Sequence, residues 1–198
     1  MKYKYNGVLL VLGLLAAALP AQALKIGDPI VDTEVKMKNV DGKMLTLKGL
    51  AGEKGTLVIF SCNHCPFVLG WQDTMVGIGN TYQKKGVGVV FINSNNPDTA
   101  GDTFEAMQEM AKTHKYNFPY VVDATSNVAR NFGASKTPDV FLFDAEGKLV
   151  YKGAVGEGSQ TPKEGGEAYL KNALDALLAG NPVPKTETKA VGCSIKFR

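Results

Sequence analysis

Two of the three cysteines stand in Ser61-Cys62-Asn63-His64-Cys65-Pro66, and the third, Cys193, lies five residues before the last, Arg198. Thiols two residues apart close a very small ring when oxidised. Such a ring gains little chain-entropy stabilisation, so the pair reads as reactive rather than structural. The thiolate is the nucleophile, and it is favoured at a helix N-terminus by unpaired N–H groups and the positive end of the dipole. Cys62 is therefore assigned the attack on a disulfide. Cys65, one turn deeper, is assigned the resolution of the resulting mixed disulfide. Cys193 is an odd cysteine that invites pairing as an additional redox thiol, or packs as a small apolar residue. Zinc would need a second ligand pair at comparable spacing, and only His64, His114 and Cys193 are available for it. No metal or other cofactor is called for.

The elements that must hold this pair can be read from periodicity. Leu57-Val58-Ile59-Phe60 is a short apolar run of the kind found in buried central strands, and the cysteines follow its C-terminal end. Phe67, Trp71, Met75, Ile78 and Tyr82 recur at helical spacing, although Gly77 and Gly79 weaken that helix. Pro66 suits its first turn, where a missing N–H costs nothing. A second buried strand over 87–93 would run parallel to the first. The pattern then predicts a helix over 102–115 with Asp102 near its start, a strand over 120–122 and a helix over 127–132 closed by Gly133. Val140 to Phe143 and Lys148 to Lys152 flank Asp144-Ala145-Glu146-Gly147 as an antiparallel hairpin, and a last helix is predicted over 163–178. Before all of these, Ile30 to Lys36 and Met44 to Leu47 alternate about Asp41-Gly42 as an N-terminal hairpin. The order predicts an α/β fold of the thioredoxin-like kind: a central mixed sheet flanked by helices, with an extra N-terminal β-hairpin. In such sheets functional groups gather beyond the C-terminal ends of central strands, where Cys62 lies.

Lys2 and Lys4, the apolar run from Val8 to Leu19 and Ala21-Gln22-Ala23 form the pattern of a cleaved secretory signal over residues 1–23. An apolar run of about 12 residues falls short of the roughly 20 that a spanning helix needs. The mature chain would comprise one domain over 24–180 and a tail over 181–198 that carries Cys193, a length suited to a single core. The formal charge of +3 falls to +1 without Lys2 and Lys4, and Arg130 and Arg198 are the only arginines. That balance gives no nucleic-acid surface, and no membrane partner after cleavage of the signal.

Phe60-Ser61-Cys62-Asn63-His64-Cys65-Pro66-Phe67, Thr137-Pro138-Asp139-Val140-Phe141-Leu142-Phe143-Asp144 with Glu146-Gly147-Lys148, and Gly192-Cys193-Ser194-Ile195-Lys196-Phe197 together resemble the peroxiredoxin-like branch of the thioredoxin superfamily, redoxins with a Cys-x-x-Cys motif. The resemblance runs from about Gly27 to the end. It implies that Thr137-Pro138 is the loop facing the cysteines, with a cis bond, although only about one X–Pro bond in twenty is cis. It also implies that an extended partner strand pairs with Thr137 while Cys62 attacks. His64 matches the histidine of the Cys-Pro-His-Cys site of DsbA-type oxidants, where it stabilises the thiolate and makes the disulfide more oxidising. Asn63 replaces that site's proline.

A peroxidase centred on Cys65 is the alternative. Peroxiredoxin chemistry would call for proline where Val58 stands, threonine or serine where Cys62 stands, and an arginine near Pro138, and all three are missing. Without those donors a peroxide loses its electrostatic support. A copper-binding protein similar to the Sco group is a further alternative, but its cysteines are three residues apart and its histidine precedes the late strands. The expectation is a periplasmic or otherwise extracytoplasmic thiol–disulfide oxidoreductase, with disulfide- or thiol-bearing proteins or small thiols as partners. Cys62 and Cys65 react, His64, Thr137 and Pro138 support them, and Cys193 is a possible third thiol.

Overall fold

The computed structural model describes residues 23–99 and 101–198, so the expected signal lies outside the described residues but for Ala23. The chain forms β1 (Met37–Asn39), β2 (Met44–Leu45), β3 (Thr56–Phe60), α1 (Pro66–Gln83), β4 (Gly88–Asn93), α2 (Phe104–Thr113) and β5 (Tyr120–Val122). It continues through α3 (Asn127–Phe132), β6 (Lys136–Thr137), β7 (Asp139–Phe143), β8 (Leu149–Gly153), α4 (Tyr169–Leu178) and β9 (Cys193–Ser194).

Seven strands make one mixed sheet in the order β2-β1-β5-β4-β3-β7-β8, and β6 pairs with β9 in a separate ladder. The apolar run 57–60 lies inside this sheet, parallel to β4 and antiparallel to β7. Its side chains alternate between two cores, as a pleated strand requires. Leu57 and Ile59 pack with α1, α2 and α4 on the face that holds Cys62 and Cys65, while Val58 and Phe60 pack on the other face with α3. There the rings of Phe60, Phe132 and Phe141 meet edge to face at 5.3, 5.7 and 5.4 Å. Each such contact adds about 1 kcal/mol beyond burial. The result is the expected α/β architecture.

Several boundaries differ from the periodicity for local reasons. The N-terminal hairpin is built from Met37–Asn39 and Met44–Leu45, later than the alternation over 30–36 suggests. Asp32 has a φ of 55° and its carbonyl accepts Val35 N–H at 3.1 Å, so that stretch turns where a strand would have to be extended. The last helix begins at Tyr169 rather than Lys163, because Gly165 takes a φ of 65° and Gly166 N–H closes a turn on Lys163 O. In α1 two glycines buy close approach: a Cβ at Gly79 would sit 2.4 Å from the Phe118 ring, and one at Gly70 would sit 1.9 Å from Gln160 O.

Beyond α4 the chain returns along β8, where Thr188 N–H donates to Lys152 O and Lys152 N–H to Thr186 O, both at 3.0 Å. Ile195 is buried in the α3-side core and its N–H donates to Ser135 O at 3.0 Å. Among the described residues, no helix is long and apolar enough to cross a membrane.

Candidate functional site

β3 delivers the chain to the site. Ser61 N–H still donates to Ile92 O at 2.8 Å, and the next four residues leave the sheet before α1 begins at Pro66. Cys65 is the N-cap residue in an extended conformation (φ −69°, ψ 125°), and Pro66 occupies the first turn as a residue with no N–H to satisfy. Cys62 therefore precedes the helix by a full turn of chain, with its sulfur near the backbone N–H groups of His64 and Cys65.

All three cysteines converge on Thr137. The Cys62 sulfur lies 3.2 Å from Thr137 Oγ1, and the Cys65 sulfur lies 3.3 Å from Thr137 O. Cys193 is the ladder partner of Thr137 between β6 and β9. The Thr137–Pro138 peptide bond is cis. The disulfide joins Cys65 to Cys193, with their Cα atoms 6.1 Å apart, and leaves Cys62 as a buried free thiol with 2 % exposure. The sequence suggests a Cys62–Cys65 bond with Cys193 as an optional addition. The structure instead gives Cys193 the bond, because the ladder carries it to the sulfur that sits over the Thr137 carbonyl. The strand edge expected to receive a partner is likewise filled by the chain's own β9.

Burial raises the Cys62 thiol above its ordinary range, and the negative charge of Asp102 adds to this. The Thr137 hydroxyl and the N–H groups of Cys65 and His64 oppose the shift without reversing it. The low thiol pKa expected from a helix N-terminus is therefore absent with the Cys65–Cys193 bond in place: desolvation outweighs the local dipoles. Tyr116, on the same side, is pushed up to about 12, mainly by burial, so it stays a phenol.

Asp102 organises the loop that carries Cys62. Its Oδ1 accepts Asn63 N–H at 2.9 Å and Asn93 Nδ2 at 3.2 Å. Its Oδ2 accepts Asn95 Nδ2 at 2.6 Å and lies 2.9 Å from His64 Nδ1. The Asn63 side chain donates to Gly101 O at 3.0 Å and accepts Tyr120 Oη–H at 2.9 Å. His64 is thereby held by its Nδ1 while its side chain stays 40 % exposed, lining an open cleft of about 340 Å³ together with Met110 of α2 and His114 just past its end.

Sequence reading places Asp102 at a helix start for the sake of the dipole. In the structure Thr103 is the cap, with Oγ1 accepting Ala106 N–H at 3.2 Å, and Asp102 turns inward. The available signal was an acid directly before a capping threonine, together with the polar run Asn93-Ser94-Asn95-Asn96 at the end of a buried strand. Asn95 also reaches the tail: its Oδ1 accepts Lys196 N–H at 2.8 Å.

Cys62, His64 and Asp102 offer a sulfur, a nitrogen and an oxygen all within 4.8 Å of one another. A cation there would have to displace donors, since the two Asp102 oxygens already take four contacts. Cys65 has no exposed surface. The Arg130 guanidinium is engaged elsewhere, on the carbonyls of Thr125 and Arg198. A peroxide at Cys65 would thus find neither access nor that cation.

Asp139, next to Pro138, is a buried carboxyl on the opposite face that the motifs do not single out. Burial pushes it up to about 7, against the N–H groups of Ser135, Lys136 and Val140 and the charge of Lys152. It lines a cavity of about 160 Å³ with Lys152 and Thr188.

Comparison with known proteins is consistent with this geometry. The sequence matches the Redoxin family over residues 25–170. It is 28 % identical over 133 residues, 67 % of this chain and 70 % of the other, to the thiol-disulfide oxidoreductase ResA of Bacillus thuringiensis subsp. konkukian (strain 97-27). Among solved structures it is similar to an uncharacterized conserved protein from Geobacillus kaustophilus, with a TM-score of 0.82 at 36 % identity over 93 % of this chain and 98 % of that one. A hypothetical protein from Sinorhizobium meliloti 1021 superposes with a TM-score of 0.81 at 32 % identity, covering 90 % and 98 %.

Proposed function

Because the chain belongs to the Redoxin family, we propose that it is an exported thiol–disulfide oxidoreductase in which Cys62 attacks and Cys65 resolves. The observation that carries the reading is the free Cys62 sulfur, set between the Thr137 hydroxyl and the N–H groups of His64 and Cys65. These donors favour the thiolate once burial is relieved. Similarity to a protein named thiol-disulfide oxidoreductase supports the same chemistry, and the signal pattern over residues 1–23 supports export.

With Cys65 reduced, the Cys62 thiol loses its proton and the thiolate attacks one sulfur of a partner disulfide. A Cys62–partner bond forms and the partner's other sulfur leaves as a thiolate. The Cys65 thiolate then attacks the Cys62 sulfur, releasing the second partner thiolate and leaving a Cys62–Cys65 disulfide. The partner is reduced by two electrons and the protein is oxidised by two. Each step is reversible, so the same groups oxidise a partner dithiol in the other direction. His64, anchored by Asp102, presents its ring beside the reacting sulfur, and Thr137, ahead of the cis Pro138, sets its hydroxyl on that sulfur. Partners are disulfide- or thiol-bearing proteins or small thiols, and no dissociable cofactor takes part.

Cys65→Ser tests this reading. Mixed with a disulfide partner, the variant accumulates a mixed disulfide on Cys62, seen as an added mass that reductant removes. A variant that gains no mass, or gains it at Cys193, contradicts the assignment.

A further inference from the structure

One residue, Thr137, touches Cys62 with its hydroxyl and Cys65 with its carbonyl, and pairs through its backbone with Cys193. The strand that carries Cys193 lies where an extended partner would lie, and it is fixed there independently of the disulfide. Gly192 packs so closely that a Cβ would stand 2.1 Å from Thr137 O. Ile195 N–H donates to Ser135 O at 3.0 Å, Lys196 is held by Asn95 and Asn96, and the Lys136 ammonium donates to Ser194 Oγ at 3.1 Å. Arg130 reaches the Arg198 carbonyl and lies 4.8 Å from the Phe197 ring. A spare thiol would not need a dedicated docking strand on both sides of it.

We propose that the C-terminal strand is a resident partner: Cys193 takes over the disulfide from the Cys62–Cys65 pair by exchange at Cys65. The inference rests on the exchange chemistry assigned above. In this step the Cys193 thiolate attacks the Cys65 sulfur of a Cys62–Cys65 disulfide. The Cys65–Cys193 bond forms, the Cys62–Cys65 bond breaks, and Cys62 leaves as a thiolate that takes up the proton Cys193 gave up. No outside oxidant enters, because the oxidising equivalent came from the partner disulfide already reduced.

The consequence is a protein whose oxidised form keeps its nucleophile reduced, protonated and buried. The disulfide is stored one sulfur away, closed over a sequence separation of 128 residues. In the folded chain the β6–β9 ladder holds Cys193 against the Cys65 sulfur, so the transfer runs toward Cys65–Cys193. A thiol reductant opening that bond returns all three thiols and completes a cycle.

The test is a timed disulfide map. Fully reduced protein is mixed with less than one equivalent of glutathione disulfide, quenched in acid, alkylated after denaturation and digested for mass spectrometry. Cys62–Cys65 is expected to appear first and to give way to Cys65–Cys193, with more than nine-tenths of the final disulfide in the second form and alkyl label on Cys62. Cys193→Ser is expected to stop at Cys62–Cys65. If less than half of the wild-type disulfide ends as Cys65–Cys193, the resident-partner inference is overturned while Cys62-dependent exchange stands. If Cys62→Ala forms Cys65–Cys193 as fast as wild type, Cys62 is not the entry point and the exchange reading itself fails.

Discussion

Thr137 and Cys193 are direct partners across the two-residue β6–β9 ladder, and this pairing brings the tail cysteine to the sulfur of Cys65. It makes the last residues of the chain part of the redox site.

Gly192→Val tests that pairing. The added Cβ would lie 2.1 Å from Thr137 O, a contact that forces the ladder apart, and overpacking of this kind costs about 1–3 kcal/mol. Oxidised under the same conditions, the variant is expected to shift from the Cys65–Cys193 form toward Cys62–Cys65, as read by peptide mapping. An unchanged map would mean that the ladder does not place Cys193.

Asp102→Asn removes a negative charge that raises the Cys62 thiol while leaving an acceptor for Asn63 N–H. In the oxidised protein, the pH at which Cys62 alkylation by iodoacetamide reaches half its maximum rate is expected to fall, since less charge opposes the thiolate. One pH unit would correspond to about 1.4 kcal/mol. A midpoint that stays put or rises contradicts the electrostatic role of Asp102.

Asn95→Ala should separate the loop network from the tail. It deletes the donor to Asp102 at 2.6 Å and the acceptor for Lys196 N–H at 2.8 Å, leaving the buried Asp102 Oδ2 with His64 alone and the Lys196 N–H without its acceptor. The expected loss is about 2–3 kcal/mol of stability in urea unfolding, with faster amide exchange at Lys196. A loss confined to a few tenths would mean that solvent replaces both partners.

The cysteine chemistry was legible because its signal is local: two thiols after an apolar run, with a proline where a helix can accept one. The central strands were legible for the same reason, being continuous apolar stretches. Asp102 was not, because its role depends on Asn63, Asn93 and Asn95 arriving from other parts of the chain. Periodicity assigns an acid before a helix to the helix. The Cys65–Cys193 bond depends on a ladder between segments far apart in sequence, which no spacing rule reports. The 30–36 stretch failed as a strand because alternation does not reveal a left-handed residue such as Asp32.

Asp139 gives the fold a pH dependence with a definite sign. Its folded-state pKa, pushed up to about 7 by burial, exceeds that of an unfolded aspartate near 3.8, so between those values the native state binds more protons. Its contribution to stability is intact below about pH 4 and declines as pH rises toward 7, by at most about 4 kcal/mol. Asp139→Asn, which cannot ionise, is expected to gain stability over wild type at pH 8 and to match it more nearly at pH 4.5 in urea titrations. An equal difference at both values would show that Lys152 and the surrounding N–H groups fully compensate the buried charge.

The most direct test of the account is the rate at which reduced protein cleaves a chromogenic aromatic disulfide under single-turnover conditions, compared between wild type and Cys62→Ala. Cys62 as the entry nucleophile predicts a rate at least about a hundredfold lower in the variant, since Cys65 and Cys193 lack the Thr137 hydroxyl and backbone N–H donors that favour the Cys62 thiolate. Equal rates in the two proteins would contradict it.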